Sequence, residues 1–321
     1  MAIPEVKKED QLNMESLTWG DLTWINISNP TRKECDYLAQ RFSFHPLNLD
    51  DLLSRLPRPK IDEYKDHLFI VLHFPFWNRE QQAIISSELN IFIGENYVVT
   101  VDCTGNLKTL AKFFKVCQSD EEPLRENLSH GSAYLLYRIL DRLVDYCLPI
   151  LNKISDKIEG VEDVMFLERR PAVVRDISIL RREVIAFRRI IWPIRAVIGS
   201  LEPKVRHFTK MDMAVYFGDL VDHLDKIWDG LDEYKEVIEG LNATRDSLAT
   251  NRINEALRVL TILATIGTVL TVIVSFYGMN IPIPGSWEAP GGSHLTMHYV
   301  LIAMGATLGG MLFYFHRKGW I

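Results

Sequence analysis

The feature that most constrains the fold of this chain is an uncharged apolar run near its C-terminus. Residues 259–277 carry no charged side chain over nineteen positions, which is close to the ~20 residues that a helix needs to cross a ~30 Å hydrocarbon core. A second apolar run covers 295–315 and ends at basic residues, and a loop rich in proline and glycine separates the two runs. Two spans, about 257–277 and 295–315, therefore predict a transmembrane hairpin at 257–321.

One face of the first span is polar. At 100° per residue, most of its polar side chains fall within an arc of roughly 90°, with Thr271 at the edge. Two explanations fit: the threonines hydrogen-bond to the backbone of their own or a neighbouring helix, or several copies of the helix surround a water-filled pore. The second explanation predicts these pore-lining residues, with the two leucines as an apolar constriction: Asn254, Leu257, Leu260, Thr261, Thr265, Thr268 and Thr271.

The chain before the spans divides into two regions, which predicts an α+β fold. Residues 1–128 predict a cytoplasmic α/β domain, because short strand-like runs alternate with helical patterns and Gly94-Glu95-Asn96 suits a hairpin turn. Thr31 and Glu34 have the spacing of a capping box at a helix start. Residues 129–256 predict a stalk of long helices. The strand-like runs are 23–27, 67–74, 87–93 and 97–101, and the helices are 134–169, 171–201 and one from about 210 to 277.

Charges alternate in sign between the predicted stalk helices. Arginines recur along 171–201, whereas acids dominate the preceding helix, and this pattern predicts an antiparallel hairpin with complementary charges. Solvated surface faces, or a basic face near a pore mouth, remain alternatives. The residues concerned are Arg175, Arg181, Arg182, Arg188, Arg189 and Arg195 on one helix, and Asp156, Glu159, Glu162, Asp163 and Glu168 on the other.

Composition and missing motifs exclude several functions. The formal net charge is −6 without a long basic tract, which argues against nucleic-acid binding. We find no Ser/His/Asp grouping, phosphate loop or zinc-protease motif, so the sequence does not predict an enzyme. The four cysteines lack Cys-x-x-Cys spacing, which predicts buried thiols rather than a disulfide framework.

The end of the first span carries Tyr277-Gly278-Met279-Asn280. This tetrapeptide, with the preceding NEALRVLTILATI and the terminal HRKGWI, resembles the CorA family of divalent-cation channels; YFGDLVDH and HPLNLDDLLSRLPRPKIDEY are also similar to family segments. The resemblance implies a homopentamer that carries magnesium into the cytoplasm, with cobalt or nickel as alternative ions. It implies that the membrane potential drives the flux, that intracellular magnesium gates it, and that Gly278, Met279 and Asn280 form the selectivity filter.

Acidic residues mark the first half of the third helix. Asp219, Asp222 and Asp225 lie at i, i+3 spacing, and oxygen ligands are what a hard divalent ion takes. The resemblance implies that Asp219 contributes to a regulatory magnesium site between subunits; a solvated helix face is the alternative. At the other end of the helix, a ring of Asn280 amide oxygens suits the water shell of a hydrated magnesium ion, so both residues are predicted metal contacts.

Charge also predicts orientation in the lipid bilayer. Basic residues precede the first span and follow the second, whereas 281–298 contains no Lys or Arg, so both termini are expected in the cytoplasm of a multi-pass inner-membrane protein. That loop holds a single acid, Glu288, near His294 and His298, and histidine suits softer ions such as Zn²⁺ or Co²⁺. A zinc transporter of the ZntB type and a non-conducting membrane-anchored sensor therefore remain alternatives.

Overall fold

A computed structural model describes residues 12–54, 58–78, 80–165, 172–279 and 295–320. The chain forms two compact units, Met1–Leu241 and Asn242–Ile321. The three-region division predicted above remains a prediction.

A mixed β-sheet forms the centre of the first unit. Among the described residues six strands lie in the order β1-β2-β6-β5-β4-β3, and β2 and β6 are the parallel pair. The predicted turn at 94–96 joins β5 to β6, and all four predicted strands are confirmed. β1 and β3 were missed because they are short edge strands with few buried positions. The bounds are β1 Met14–Trp19, β2 Leu22–Ser28, β3 Lys60–Glu63, β4 His67–Asn78, β5 Ala83–Gly94 and β6 Tyr97–Asp102.

Both faces of the sheet are covered, so β4 is apolar at successive positions. Leu68 and Ile70 enter a large core on one face, whereas Phe69 and Val71 enter a smaller core on the other, as the alternation of side chains along a strand requires. The smaller core is closed by α1 (Arg32–Arg41) and α2 (Pro46–Asp51). The predicted capping box at the start of α1 is confirmed, since Thr31 and Glu34 exchange both capping hydrogen bonds.

Helices on the large core carry the chain away from the sheet. The helix predicted at 134–169 is two helices, because Pro149 lacks the N–H that would bond to the carbonyl of Asp145 and the first helix ends there. The next long helix, Ala172–Gly199, runs through Pro193 without interruption. The bounds are α3 Lys108–Ser119, α4 Glu121–Leu128, α5 Ser132–Asp145, α6 Cys147–Met165, α7 Ala172–Gly199 and α8 Glu202–Val205, followed by a 3₁₀ turn at Arg206–Phe208.

The third long helix, α9, runs unbroken over Ala214–Tyr277, which confirms the prediction. Its first part packs through one seam whose residues recur at alternating intervals of three and four, the spacing of heptad packing. Tyr234 completes the series as a partly buried member. The buried members are Phe217, Leu220, Leu224, Ile227, Leu231, Ile238 and Leu241.

The predicted charge pairing within the α6–α7 hairpin is wrong for the described residues. Arg188 and Arg195 on α7 pair with Asp232 and Asp225 on α9. Between α6 and α7 the ion pair has the opposite polarity, since Lys157 of α6 lies 2.8 Å from the carboxylate of Glu183 on α7. Charge periodicity shows which face of a helix is polar, but it does not show which neighbour that face meets.

The second unit contains the apolar end of α9 and the helix α10, Leu295–Arg317. Each helix has an 18-residue apolar window of which 6% of the residues are buried within the chain. The core helix of a soluble protein would be mostly covered, whereas these side chains are left for another apolar medium. Length, composition and exposure together fit two membrane spans.

Candidate functional site

The polar face of the first span is uncovered in the single chain. All seven predicted pore-lining side chains, from Asn254 to Thr271, are exposed. The two leucines of the predicted constriction are also open, with Leu257 53% and Leu260 62% exposed. This face is therefore free to meet water or copies of the same helix.

Three of its threonines hydrogen-bond to their own helix. The hydroxyl of Thr261 donates to the carbonyl oxygen of Leu257 at 2.7 Å, that of Thr265 donates to the carbonyl oxygen of Thr261 at 2.6 Å, and that of Thr271 donates to the carbonyl oxygen of Gly267 at 2.8 Å. These hydrogen bonds agree with the first explanation of the polar face, and the pore-lining role of the same residues stays a prediction. A hydroxyl that donates its hydrogen keeps oxygen lone pairs as acceptors. The face therefore still accepts hydrogen bonds from water, including water bound to a cation.

The described part of the Gly-Met-Asn signature continues α9 by one hydrogen bond. The amide of Gly278 donates to the carbonyl oxygen of Val274 at 2.9 Å. A Cβ at Gly278 would lie 3.2 Å from that same oxygen, so a side chain here would crowd the helix terminus. Met279 is 53% exposed. Asn280 lies outside the described residues, and its role at the filter stays a prediction.

Asp219 lies near the start of α9 and meets a histidine one turn further on. Its Oδ1 lies 3.8 Å from Nε2 of His223, and its side chain is 53% exposed. Asp225, from the same predicted acidic series, is held elsewhere, because Arg195 contacts both of its carboxylate oxygens. Six residues rotate around a helix by about 240°, so Asp219 and Asp225 face different neighbours.

The structure brings Asp141 and Asp145 of α5 to the same histidine. One ligand atom from each of Asp141, Asp145 and His223 lies within 4.8 Å of the others, and Nδ1 of His223 is 3.6 Å from Oδ1 of Asp145. We call these three residues the Asp-Asp-His cluster. Sequence reasoning missed all three. The available signal was i, i+4 spacing, which places Asp141 with Asp145, and Asp219 with His223, on one helix face each.

The electrostatics of the Asp-Asp-His cluster favour an added cation. Burial raises the pKa of Asp141, and the neighbouring Asp145 carboxylate raises it further, while Arg138 and Arg142 oppose the shift. Nδ1 of His223 is buried and has no hydrogen-bond partner among the described residues. Carboxylate oxygens suit Mg²⁺, and an added imidazole nitrogen also suits Co²⁺ or Zn²⁺. The donor set therefore fits a divalent metal ion.

These features define a class: an integral membrane protein with an α/β unit and a long helix whose membrane-spanning end has a polar face. The sequence profile of the family described as CorA-like Mg²⁺ transporter protein matches residues 19–317. The chain belongs to this family.

Named relatives agree with that assignment. The cobalt/magnesium transport protein CorA of Thermotoga maritima is 29% identical over 312 residues, covering 93% of this chain and 83% of that protein. The structure of the CorA magnesium transporter from Methanocaldococcus jannaschii matches with a TM-score of 0.80 at 22% identity, over 95% of this chain and 94% of that one. The zinc transport protein ZntB of Cronobacter sakazakii is 22% identical over 93% of this chain and 88% of that protein.

Proposed function

We propose that this chain forms a homo-oligomeric channel, by resemblance a pentamer, that carries magnesium, and also cobalt or nickel, into the cytoplasm. The observation that carries the proposal is the exposed polar face of the first span, which leads to the Gly-Met-Asn signature. In a lone helix surrounded by lipid this face would contact hydrocarbon. Copies of α9 arranged around a central axis would instead turn it toward water.

The face suits a hydrated ion. Magnesium releases its water slowly and prefers octahedral oxygen ligands. The hydroxyl oxygens of Thr261, Thr265 and Thr271 accept hydrogen bonds, and bound water donates them. At the outer end, Asn280 amide oxygens would select the hydrated ion, with Gly278 allowing the close approach of backbone. A membrane potential of ~100 mV contributes about 2.3 kcal/mol per charge, hence roughly 4.6 kcal/mol for a divalent cation.

Asp219 and the Asp-Asp-His cluster form the proposed regulatory site. When cytoplasmic magnesium is high, a bound ion would neutralise these carboxylates and stabilise the closed assembly. When magnesium falls, the carboxylates would repel one another and the assembly would loosen. The asymmetry of Lys and Arg around the spans supports a cytoplasmic position for this site and for both termini. The membrane we propose is the inner membrane of the cell.

The test is divalent-ion uptake into proteoliposomes that contain the purified full chain, with an inside-negative potential. We expect magnesium uptake that is lost in Asn280→Ala and retained in Asn152→Ala, a control at an exposed position of α6. Equal uptake in wild type and Asn280→Ala would refute the filter assignment. No uptake of any ion at low magnesium would favour the membrane-anchored sensor.

A zinc transporter is the second candidate. Histidine in the Asp-Asp-His cluster and at His298, which is exposed on α10, suits softer ions. The same liposomes separate the two candidates when zinc, cobalt and magnesium are compared at two pH values. If uptake prefers zinc and depends on a proton gradient, the zinc transporter is the correct function and the magnesium channel is not.

A further inference from the structure

A cavity that is separate from the proposed ion pathway and from the Asp-Asp-His cluster opens in the first unit. It has a volume of about 520 Å³, within the range of small-molecule sites. Three parts of the chain form its walls: the end of β4, the segment that leads into α3, and the α5–α6 junction. None of Asp141, Asp145 and His223 lines it.

Aromatic rings form much of the wall. Trp77 contributes from β4 and Tyr146 from the α5–α6 junction, and each ring is only partly buried. Phe76 also borders the cavity, but as the neighbour of Trp77 on the strand it faces the opposite side of the sheet. The ammonium of Lys157 lies 4.4 Å from the centre of the Trp77 ring and is itself held by Glu183. The indole is therefore fixed in place. Partly exposed rings offer faces on which a planar heterocycle can stack.

Two lysines without a carboxylate partner face the same cavity. Lys108 begins α3 and Lys153 lies on α6, and neither forms an ion pair with a described residue. Lys60 and Lys204 of the same unit, by contrast, are paired with Asp51 and Glu63. Glu80 also lines the cavity, so two ammonium groups face one carboxylate and the lining has an excess of positive charge. That excess favours an anionic ligand, and lysine is a common phosphate binder.

Polar groups on the rim complete the site. Asn78 is fixed, because its side-chain oxygen accepts the amides of Glu80 and Gln81, both at 2.9 Å. Asn106 and Thr109 also line the cavity. An amide and a hydroxyl provide both donors and acceptors for the edge of a base or for a ribose.

We propose that this cavity binds a nucleoside phosphate, with the base against the aromatic wall and the phosphates at Lys108 and Lys153. Both halves of the site point to this class. Inorganic phosphate or a lipid headgroup would use the lysines but leave the rings uncovered, whereas an uncharged apolar ligand would leave the two ammonium groups unpaired. The proposal does not depend on ion transport, since binding is measured without flux.

The experiment is calorimetric titration of the full chain in detergent with ATP, with adenosine and with tripolyphosphate as separate probes. We expect ATP to bind more tightly than either fragment. Lys108→Glu and Lys153→Glu should each weaken binding of ATP and of tripolyphosphate by about tenfold or more, since each removes a charge-assisted contact. Tyr146→Ala should weaken ATP and leave tripolyphosphate unchanged. Lys112→Glu, exposed on α3 outside the cavity, is the matched control.

Two results would overturn the proposal. One is the absence of ATP binding to the wild-type chain. The other is equal affinity for ATP and tripolyphosphate together with no effect of Tyr146→Ala, which would leave only a site for polyanions. Thermal unfolding of each variant shows that it is folded, so that a loss of binding is attributed to the altered side chain.

Discussion

Replacing one carboxylate of the Asp-Asp-His cluster should stabilise the metal-free protein. Carboxylates 4.8 Å apart, the upper limit between ligand atoms of Asp141 and Asp145, repel by roughly 3.5 kcal/mol at an effective dielectric constant of about 20. Because the Asp145 side chain is 51% exposed, solvent screening reduces the expected repulsion energy between the two carboxylates to about 1 kcal/mol. Asp145→Asn removes this repulsion and keeps the size of the side chain.

Bound magnesium should relieve the same repulsion in the wild type. An ion at a hundred times its dissociation constant stabilises the folded state by about 2.7 kcal/mol. In Asp145→Asn this increment should shrink, because a ligand and a charge are gone. The mutation therefore stabilises the protein without magnesium and reduces the further gain when magnesium is added.

The assay is thermal unfolding of the full chain in detergent, with a chelator and then with saturating magnesium. For a unit of this size, 1 kcal/mol corresponds to about 2–4 °C in the unfolding midpoint, and we expect a rise of that size for Asp145→Asn in chelator. Asp156→Asn, at an exposed position of α6, is the matched control and should change neither midpoint. A variant that is no more stable in chelator, and gains as much from magnesium as wild type, would refute the assignment.

Three further predictions concern other regions. Lys157→Met leaves Glu183, 3% exposed, without its partner. Because Lys157 is itself 41% exposed and water screens the pair, the free energy of unfolding should fall by about 1–3 kcal/mol in chemical denaturation, whereas exposed Lys153→Met should change it by less than about 0.5 kcal/mol. Gly278→Ala, whose Cβ would lie 3.2 Å from the carbonyl oxygen of Val274 at the helix terminus, should reduce magnesium uptake in liposomes, while Gly267→Ala, whose Cβ meets no atom beyond the backbone of its own helix, should not; equal uptake would contradict the crowding argument. Burial raises the pKa of Cys103 to about 12, so its alkylation at pH 9, followed by mass spectrometry, should be more than about a hundredfold slower in the folded than in the unfolded chain and should accelerate as pH rises; similar rates in both states would refute it.

Local patterns in the sequence were sufficient for most of the secondary structure. Thr31 and Glu34 marked a helix start because both groups of a capping box lie within four residues of one another. Continuous apolar length marked the two spans. α9 was predicted without a break because no proline interrupts it, and the structure agrees. In each case the physical cause lies in a stretch of residues that is continuous in the sequence.

The site shows the limit of such reasoning. Asp219 was selected through the resemblance of its segment to a family, and its spacing suggested that it acts with Asp222 and Asp225. The structure instead places Asp219 beside His223, whereas Asp225 forms an ion pair with Arg195. The i, i+4 spacing of Asp141 and Asp145 was visible in the sequence, but such pairs are common on solvated helices. Only the packing of α5 beside α9 gives this pair a partner.

The sequence alone therefore indicated the family, four of the six described strands, the unbroken helix α9, the two apolar spans and the polar face of the first span. The tertiary structure decided which charges meet: arginines of α7 with acids of α9, Lys157 with Glu183, and two aspartates of α5 with His223. It also decided which rings and lysines share a cavity. The reason is physical: periodicity determines the direction of each side chain about its own helix or strand, whereas the neighbour that it meets depends on long-range packing of apolar faces.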